Sequence, residues 1–335
     1  MKFIRFLKTD VKIINSYFLI ILILLILVCV GYSSYALFSF SKTSPNIIEL
    51  EVGEMTKLAT ETLIAQTDNL NESGLYTIVH SADSTLQIGT AESVTEYRYR
   101  GANPKNYVTF NNEIWRIIGV FPTEDENGNI ENRIKLIRNE SIGKNSWDTN
   151  GYNNWARPAT LNTYLNGDYY NTLTSEAQSM IGNAKYYLGG YSGGSPTIIQ
   201  MYSYERKIGG SDYYYSTNPN SWVGKLALMY ASDYGYASAN CENKQLHSGD
   251  SSYDINACNT TNWLYNLKVM EWLLPQRNLD SSVYCLYSSG HINYYSTYGI
   301  VGPNQNNVRP VLYLKTAIKI IEGSGTSANP YVFGL

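Results

Sequence analysis

The chain has 335 residues, with 25 Lys and Arg against 28 Asp and Glu, a net charge of −3 and 16% charged residues. That balance offers no basic field to a nucleic-acid backbone, and no nucleic-acid partner is expected. The length suits an anchor plus one large domain, or two small ones.

Between Lys12 and Lys42 no residue is charged, and Tyr17 to Gly31 is almost purely aliphatic. A membrane core of ~30 Å needs about 20 apolar residues in a helix. The sequence therefore predicts a cytoplasmic tail over 1–12 and a transmembrane signal anchor over 13–40. Lys2, Arg5, Lys8 and Lys12 against Asp10 keep the N-terminus inside, and the C-terminal domain is extracellular. The membrane is thus one expected partner. Two other readings compete. Cleavage after Ala36, at the small-x-small Ser34-Tyr35-Ala36, releases the domain. Lipidation at Cys29 lacks the small residue a lipobox needs, because Leu27-Val28 precede it.

A stalk is expected over 41–94. Ile47 to Val52 alternates apolar and acidic residues and reads as a short strand. Glu54 to Gln66 carries a helical stripe of Met55, Leu58, Leu63 and Ile64. Asp68 to Gly74 is a loop, and Leu75 to Val94 one or two short strands.

The domain proper is expected over 95–335. Strands are predicted at Glu96–Arg100, Tyr107–Phe110, Glu113–Phe121 and Arg133–Arg138. They are joined by Asn111-Asn112 and by Glu124–Asn129, which contains Asn-Gly. Helices follow, one opened by Pro158 and running through Leu173, another at Ser175–Met180. Gly189 to Asn220 reads as loop and Leu226–Tyr230 as a strand. Glu271 to Pro275 is apolar. Strands at Val283–Tyr287, Ile292–Tyr295 and Val308–Leu314 precede a closing hairpin, Thr316–Phe333, which turns at Gly323-Ser-Gly325.

The 31 tyrosines cluster with Asn, Ser and Gly, as in Tyr213 to Asn220 and Asn293 to Tyr298. That is the vocabulary of recognition loops; an AT-rich genome inflates the same residues. Cys241 and Cys258 flank a polar loop, and a disulfide between them suits an exported domain. Cys285 sits in an apolar run and reads as a core residue. His80, His247 and His291 are scattered, with no zinc spacing.

No paired carboxylates or phosphate loop appears, and no Cys lies near a credible His, so the chain reads as a non-enzyme without cofactor or metal. Two polar-aromatic clusters are candidate ligand sites. One holds Trp147, Asp148, Asn153 and Trp155. The other holds His291, Tyr294, Tyr295, Tyr298, Asn304, Asn307 and Arg309. Aromatic faces edged by amides suit sugar rings. Equally, the Trp pair suits a core and Arg309 suits a buried carboxylate partner.

Tyr97-Arg-Tyr-Arg-Gly101, Asn106 to Phe110, Glu113 to Gly119, Ile134 to Arg138, Ser146-Trp-Asp148, Asn154-Trp155, Leu161 to Asn166, Trp272-Leu-Leu-Pro275, Val308 to Leu314 and Gly323 to Tyr331 form an ordered set. The set resembles the DUF6273 family of exported bacterial proteins, over Tyr97 to Leu335. That family is similar in pattern to the C-type-lectin-like fold of formylglycine-generating enzymes. The resemblance implies an α+β domain: a mixed sheet, two packed helices, terminal strands brought together and long loops forming a ligand face. It implies no established activity. Formylglycine-generating enzymes use a close pair of C-terminal cysteines, and Cys285 stands alone. Glu-Pro-Asn calcium motifs are absent. The expected function is a cell-surface module that binds a glycan, cell-wall polymer or protein. The alternatives are an oxidase of the formylglycine-generating type and an envelope-assembly protein.

Overall fold

The computed structural model describes residues 18–30, 57–191, 193–247, 252–265, 268–297 and 305–335. The chain divides into two compact units, Met1–Thr56 and Lys57–Leu335. The first contributes one described element, helix α1 over residues 18–30, whose apolar side chains are exposed. Among the described residues no helix is long and apolar enough to cross a membrane. The rest of the predicted span, the cleavage site at Ala36 and the predicted strand Ile47–Val52 lie outside the described residues.

The second unit is α+β, mostly sheet. It opens with α2 (Ala59–Ile64) and β1 (Gly74–His80). Ala59 and Leu63 are buried, and β1 pairs along its whole length with β2 (Val94–Arg100). Residues 57–94, expected as stalk, are therefore built into the folded unit. Next come β3 (Tyr107–Phe110), β4 (Glu113–Glu124) and β5 (Ile130–Arg138). Asn111 and Asn112 both take positive φ, as the two-residue turn between β3 and β4 requires. At the β4–β5 tip, Asp125 accepts the N–H groups of Asn127 and Asn129 at 2.8 and 2.9 Å.

After β6 (Lys144–Ser146), helix α3 (Thr160–Tyr164) runs through a π turn (Leu165–Tyr169) into α4 (Tyr170–Thr172). Helix α5 (Ser175–Met180) is capped by Thr174, whose hydroxyl accepts the Ala177 N–H. Strands β7 (Ile181–Gly182) and β8 (Ala184–Tyr187) lead to α6 (Ile198–Glu205). That helix lies inside the segment expected to be loop. Its Thr197-x-x-Gln200 capping box starts it despite the tyrosine-rich sequence. Then come β9 (Ser221–Gly224), β10 (Leu226–Ala227), α7 (Ala231–Tyr236) and α8 (Ser252–Asn259). The predicted strand at 226–230 is cut to two residues, because Asp233 accepts the Tyr230 N–H and turns the chain into α7. Strands β11 (Glu271–Gln276), β12 (Ser282–Leu286), β13 (Ile292–Ser296), β14 (Gln305–Asn307), β15 (Val311–Leu314), β16 (Lys319–Glu322) and β17 (Tyr331–Gly334) complete the unit.

The main sheet runs β10-β15-β5-β4-β3-β17-β16, with β2 on the second half of β4, β1 on β2, and β7 on β15. Strand β17 lies parallel to β3, and the Ala59 N–H donates to the Ile318 carbonyl, so the start and end of the unit meet. A second sheet runs β13-β12-β11-β14-β6, and β8 pairs β9. All six residues of β11 are buried, and its pairing with β12 shifts register between Trp272 and Gln276, around Pro275. The two predicted helices are found, one as the continuous run from Thr160 to Thr172 and one as α5, and the other helices described in this unit have eight residues or fewer.

Cys241 and Cys258 form a disulfide with a Cα separation of 6.0 Å. Replacing both with Ser is expected to lower unfolding free energy by about 3 kcal/mol in the chain-entropy model. Denaturant titration checks the value, and mapping of non-reduced peptides checks the bond.

Candidate functional site

The first predicted cluster is internal. Trp147 and Trp155 are buried with rings 5.3 Å apart, and the Trp147 Nε1–H donates to the Leu273 carbonyl. Asp148 accepts the N–H of Tyr152 and the hydroxyl of Thr160, which fixes the entry to α3. Asn153 donates to the carbonyls of Arg277, Asp280 and Ser282. These four side chains join the helices to the second sheet and present no surface to a ligand.

The second cluster is split. Arg309 is buried in a two-pronged pair with Glu271, at 2.7 and 3.1 Å. Burial raises the Glu271 carboxyl above its ordinary value, against the pull of Arg309. The Asn307 side chain donates to the Met270 carbonyl. His291 stacks on Tyr287, the Tyr294 hydroxyl donates to the Tyr191 carbonyl, and Tyr295 packs on Trp272. Only His291, Tyr294 and Tyr295 keep partly open faces with a ring to offer. Tyr298 and Asn304 lie outside the described residues.

A different region has the shape of a site. A cleft of about 970 Å³ runs beside β1 and is lined by every residue from Tyr76 to Ser84. Ile199, Tyr202 and Ser203 of α6 and Tyr236 of α7 line it as well. Its floor follows from strand register. Tyr76 faces Arg98 and Ile78 faces Glu96 across β1 and β2, so Tyr76, His80, Glu96 and Arg98 share one face. That face packs on α6 and α7. His80 lies flat on Tyr202, centroids 3.6 Å apart, and its Nε2 is 3.3 Å from Glu96. The hydroxyls of Tyr202 and Tyr236 have no hydrogen-bond partner among the described residues. Leaving a buried polar group unmatched costs roughly 1–3 kcal/mol.

Beneath the cleft lies a buried ionic network. Arg98, Gly119 and Lys135 stand in one row across β2, β4 and β5. Their two cations, on either side of Gly119, meet on Asp233. Arg98 donates at 3.0 Å and Lys135 at 2.5 Å. Arg98 also bonds Glu96 at 2.8 Å. Arg206 pairs with Glu205, which accepts from Ser232 of α7. Three cations thus meet three carboxylates. Burial pushes Asp233 up, but Lys135 and Arg98 outweigh it and hold the carboxyl below its ordinary value. Burial draws Lys135 down to about 8 despite Asp233, so the pair is ionised at neutral pH. Burial also lowers His80, more than Glu96 raises it, so its imidazole is neutral there.

No sequence motif marks this site. His80 ends an ordinary strand, and Tyr202 and Tyr236 sit on helices that tyrosine-rich sequence disguises. The alternating Glu96-x-Arg98, both inward, was the visible signal. Among the described residues no group of three His, Cys, Asp or Glu is arranged to hold a metal. The chain matches no protein-family model, no curated protein and no solved structure.

Two expectations follow from this network. Asp233→Asn leaves buried Lys135 without its carboxylate and Arg98 with Glu96 alone, and is expected to cost about 3–5 kcal/mol by denaturant titration. His80 has a folded pKa below its ordinary 6.5. Its contribution to stability is therefore full above about pH 6.5 and is lost as pH falls through the lowered folded value. Unfolding midpoints at pH 7.5 and 5.5 should differ less in His80→Gln than in the parent chain.

Proposed function

We propose that the chain is a membrane-anchored, outward-facing binding module whose ligand lies in the cleft between β1 and α6. The observation that carries this is the cleft itself: an opening of about 970 Å³ over a charge-balanced floor, with the exposed side chains of Val79 and Ile199 on its lining. Apolar and polar groups both line it, which suits an extended ligand that carries both. The anchor reading is supported by the uncharged apolar run and its basic flank. The C-type-lectin-like resemblance stays a proposal, supported by the meeting of the unit's two ends.

Thiol oxidase chemistry is less favoured. Cys285 is buried, and burial pushes its thiol far above the ordinary range. Such a thiol is a poor nucleophile at neutral pH.

The test is a binding screen of the full-length chain against peptidoglycan, teichoic-acid and glycan fractions and against peptides. Ile199 is 42% exposed on the cleft wall, so Ile199→Arg should leave stability within about 0.5 kcal/mol. It is expected to weaken a discovered ligand by about tenfold or more, through lost contact and a misplaced charge. Binding that ignores Ile199→Arg but is lost in Tyr295→Ala would return the site to the loops.

A further inference from the structure

We propose that the cleft takes an extended peptide of a partner protein, added as a further strand along the open edge of β1. This rests on the reading of the cleft as the ligand site and names its ligand class.

The first argument is the lining. Side chains of a strand alternate between faces, so a pocket on one face touches every second residue. This cleft touches all residues from Tyr76 to Ser84. It therefore runs along the edge of β1, where backbone groups are reachable.

The second argument is which backbone groups are free. The Leu75 carbonyl accepts the Asp68 N–H, and the Thr77 N–H donates to the Asn69 side chain. Leu75 and Thr77 thus point away from β2, and the antiparallel alternation places Val79 with them. Residues 68–69 cap the first part of the edge and then leave it. The Thr77 carbonyl and the Val79 N–H and carbonyl remain for an incoming strand.

The third argument is the absence of protection. Edge strands are commonly blunted by Lys, Pro, a bulge or a covering segment. β1 carries neither Lys nor Pro, its register with β2 is unbroken, and Val79 is 63% exposed. Ile199 stands exposed on the facing wall, so apolar side chains of the peptide have partners along the cleft. Charge narrows the choice. Asp83 pairs with Lys207, whereas Glu242 and Arg100, one of each sign, line the cleft without an ion-pair partner among the described residues. A peptide with alternating apolar residues, a basic residue for Glu242 and an acidic one for Arg100 fits. Main-chain bonds would give such a ligand its affinity and the side-chain contacts its specificity.

The test pans a phage-displayed library of linear peptides on the full-length chain, then measures a selected fluorescein-labelled peptide by anisotropy. Val79→Pro removes a free N–H from the open edge, where proline is tolerated. It is expected to weaken the peptide about tenfold or more while the unfolding midpoint holds. Alternate N-methylation of the peptide backbone, tested on the unaltered protein, should do the same and does not depend on the variant folding. Ile199→Arg should weaken binding too, and Glu242→Lys should weaken a basic peptide. Loss in Ile199→Arg with full binding to Val79→Pro and to N-methylated peptide would overturn strand addition and keep the cleft. Binding indifferent to all three variants would overturn both readings. A library that yields no peptide, beside glycan fractions sensitive to Ile199→Arg, would overturn the peptide and keep the cleft.

Discussion

Asp233 is the point on which this unit turns. It is the third residue of α7, and its carboxylate accepts the Tyr230 N–H that starts the helix. It also receives Arg98 from β2 and Lys135 from β5. The convergence needs Gly119 between them. A Cβ there would lie 2.1 Å from the Tyr97 carbonyl oxygen, so only glycine lets β2 and β4 close. Buried pairs of this kind add little net stability against a hydrophobic replacement. What they impose is position: three strands and one helix are fixed around a single side chain.

That position makes the cleft. With α7 tied to the sheet, Ser232 bonds Glu205 at the end of α6, and Arg206 covers the Tyr202 ring at 3.7 Å. Tyr202 then stacks on His80 at the end of β1. The chain of contacts runs from the sheet centre to the cleft wall through charged and aromatic groups that are nearly all engaged. A rigid floor under an open edge suits recognition, since little ordering entropy is spent when a ligand arrives.

Much of the central sheet was legible in the sequence. Strands β2 to β5 alternate visibly, Asn111-Asn112 and Asn-Gly announce their turns, and the closing hairpin turns where Gly323 requires it. Buried Arg98 and Lys135 were not legible as core, because charge at a strand position ordinarily signals solvent. Arg309 was legible in part: the sequence offered a buried carboxylate partner beside a ligand role, and Glu271 is that partner. Trp147 and Trp155 are ambiguous for the same reason, since an aromatic edged by amides describes both a sugar platform and a core with internal amide partners. Helices α6 and α7 were hidden because their stability comes from Thr197, Asp233 and tertiary packing rather than from propensity. The cleft was invisible outright: it depends on which edge of β1 stays unpaired, a property of topology and not of composition.

The central claim is that β1 has an open edge, and it can be tested before any ligand is known. Amide hydrogen exchange, read residue by residue by NMR, separates the two sides of the strand. The account predicts that Ile78 and His80, bonded to β2, exchange slowly, while Val79 between them exchanges faster by roughly a hundredfold or more. A Val79 amide as protected as its neighbours would mean that the edge is already covered, and strand addition to β1 would be contradicted.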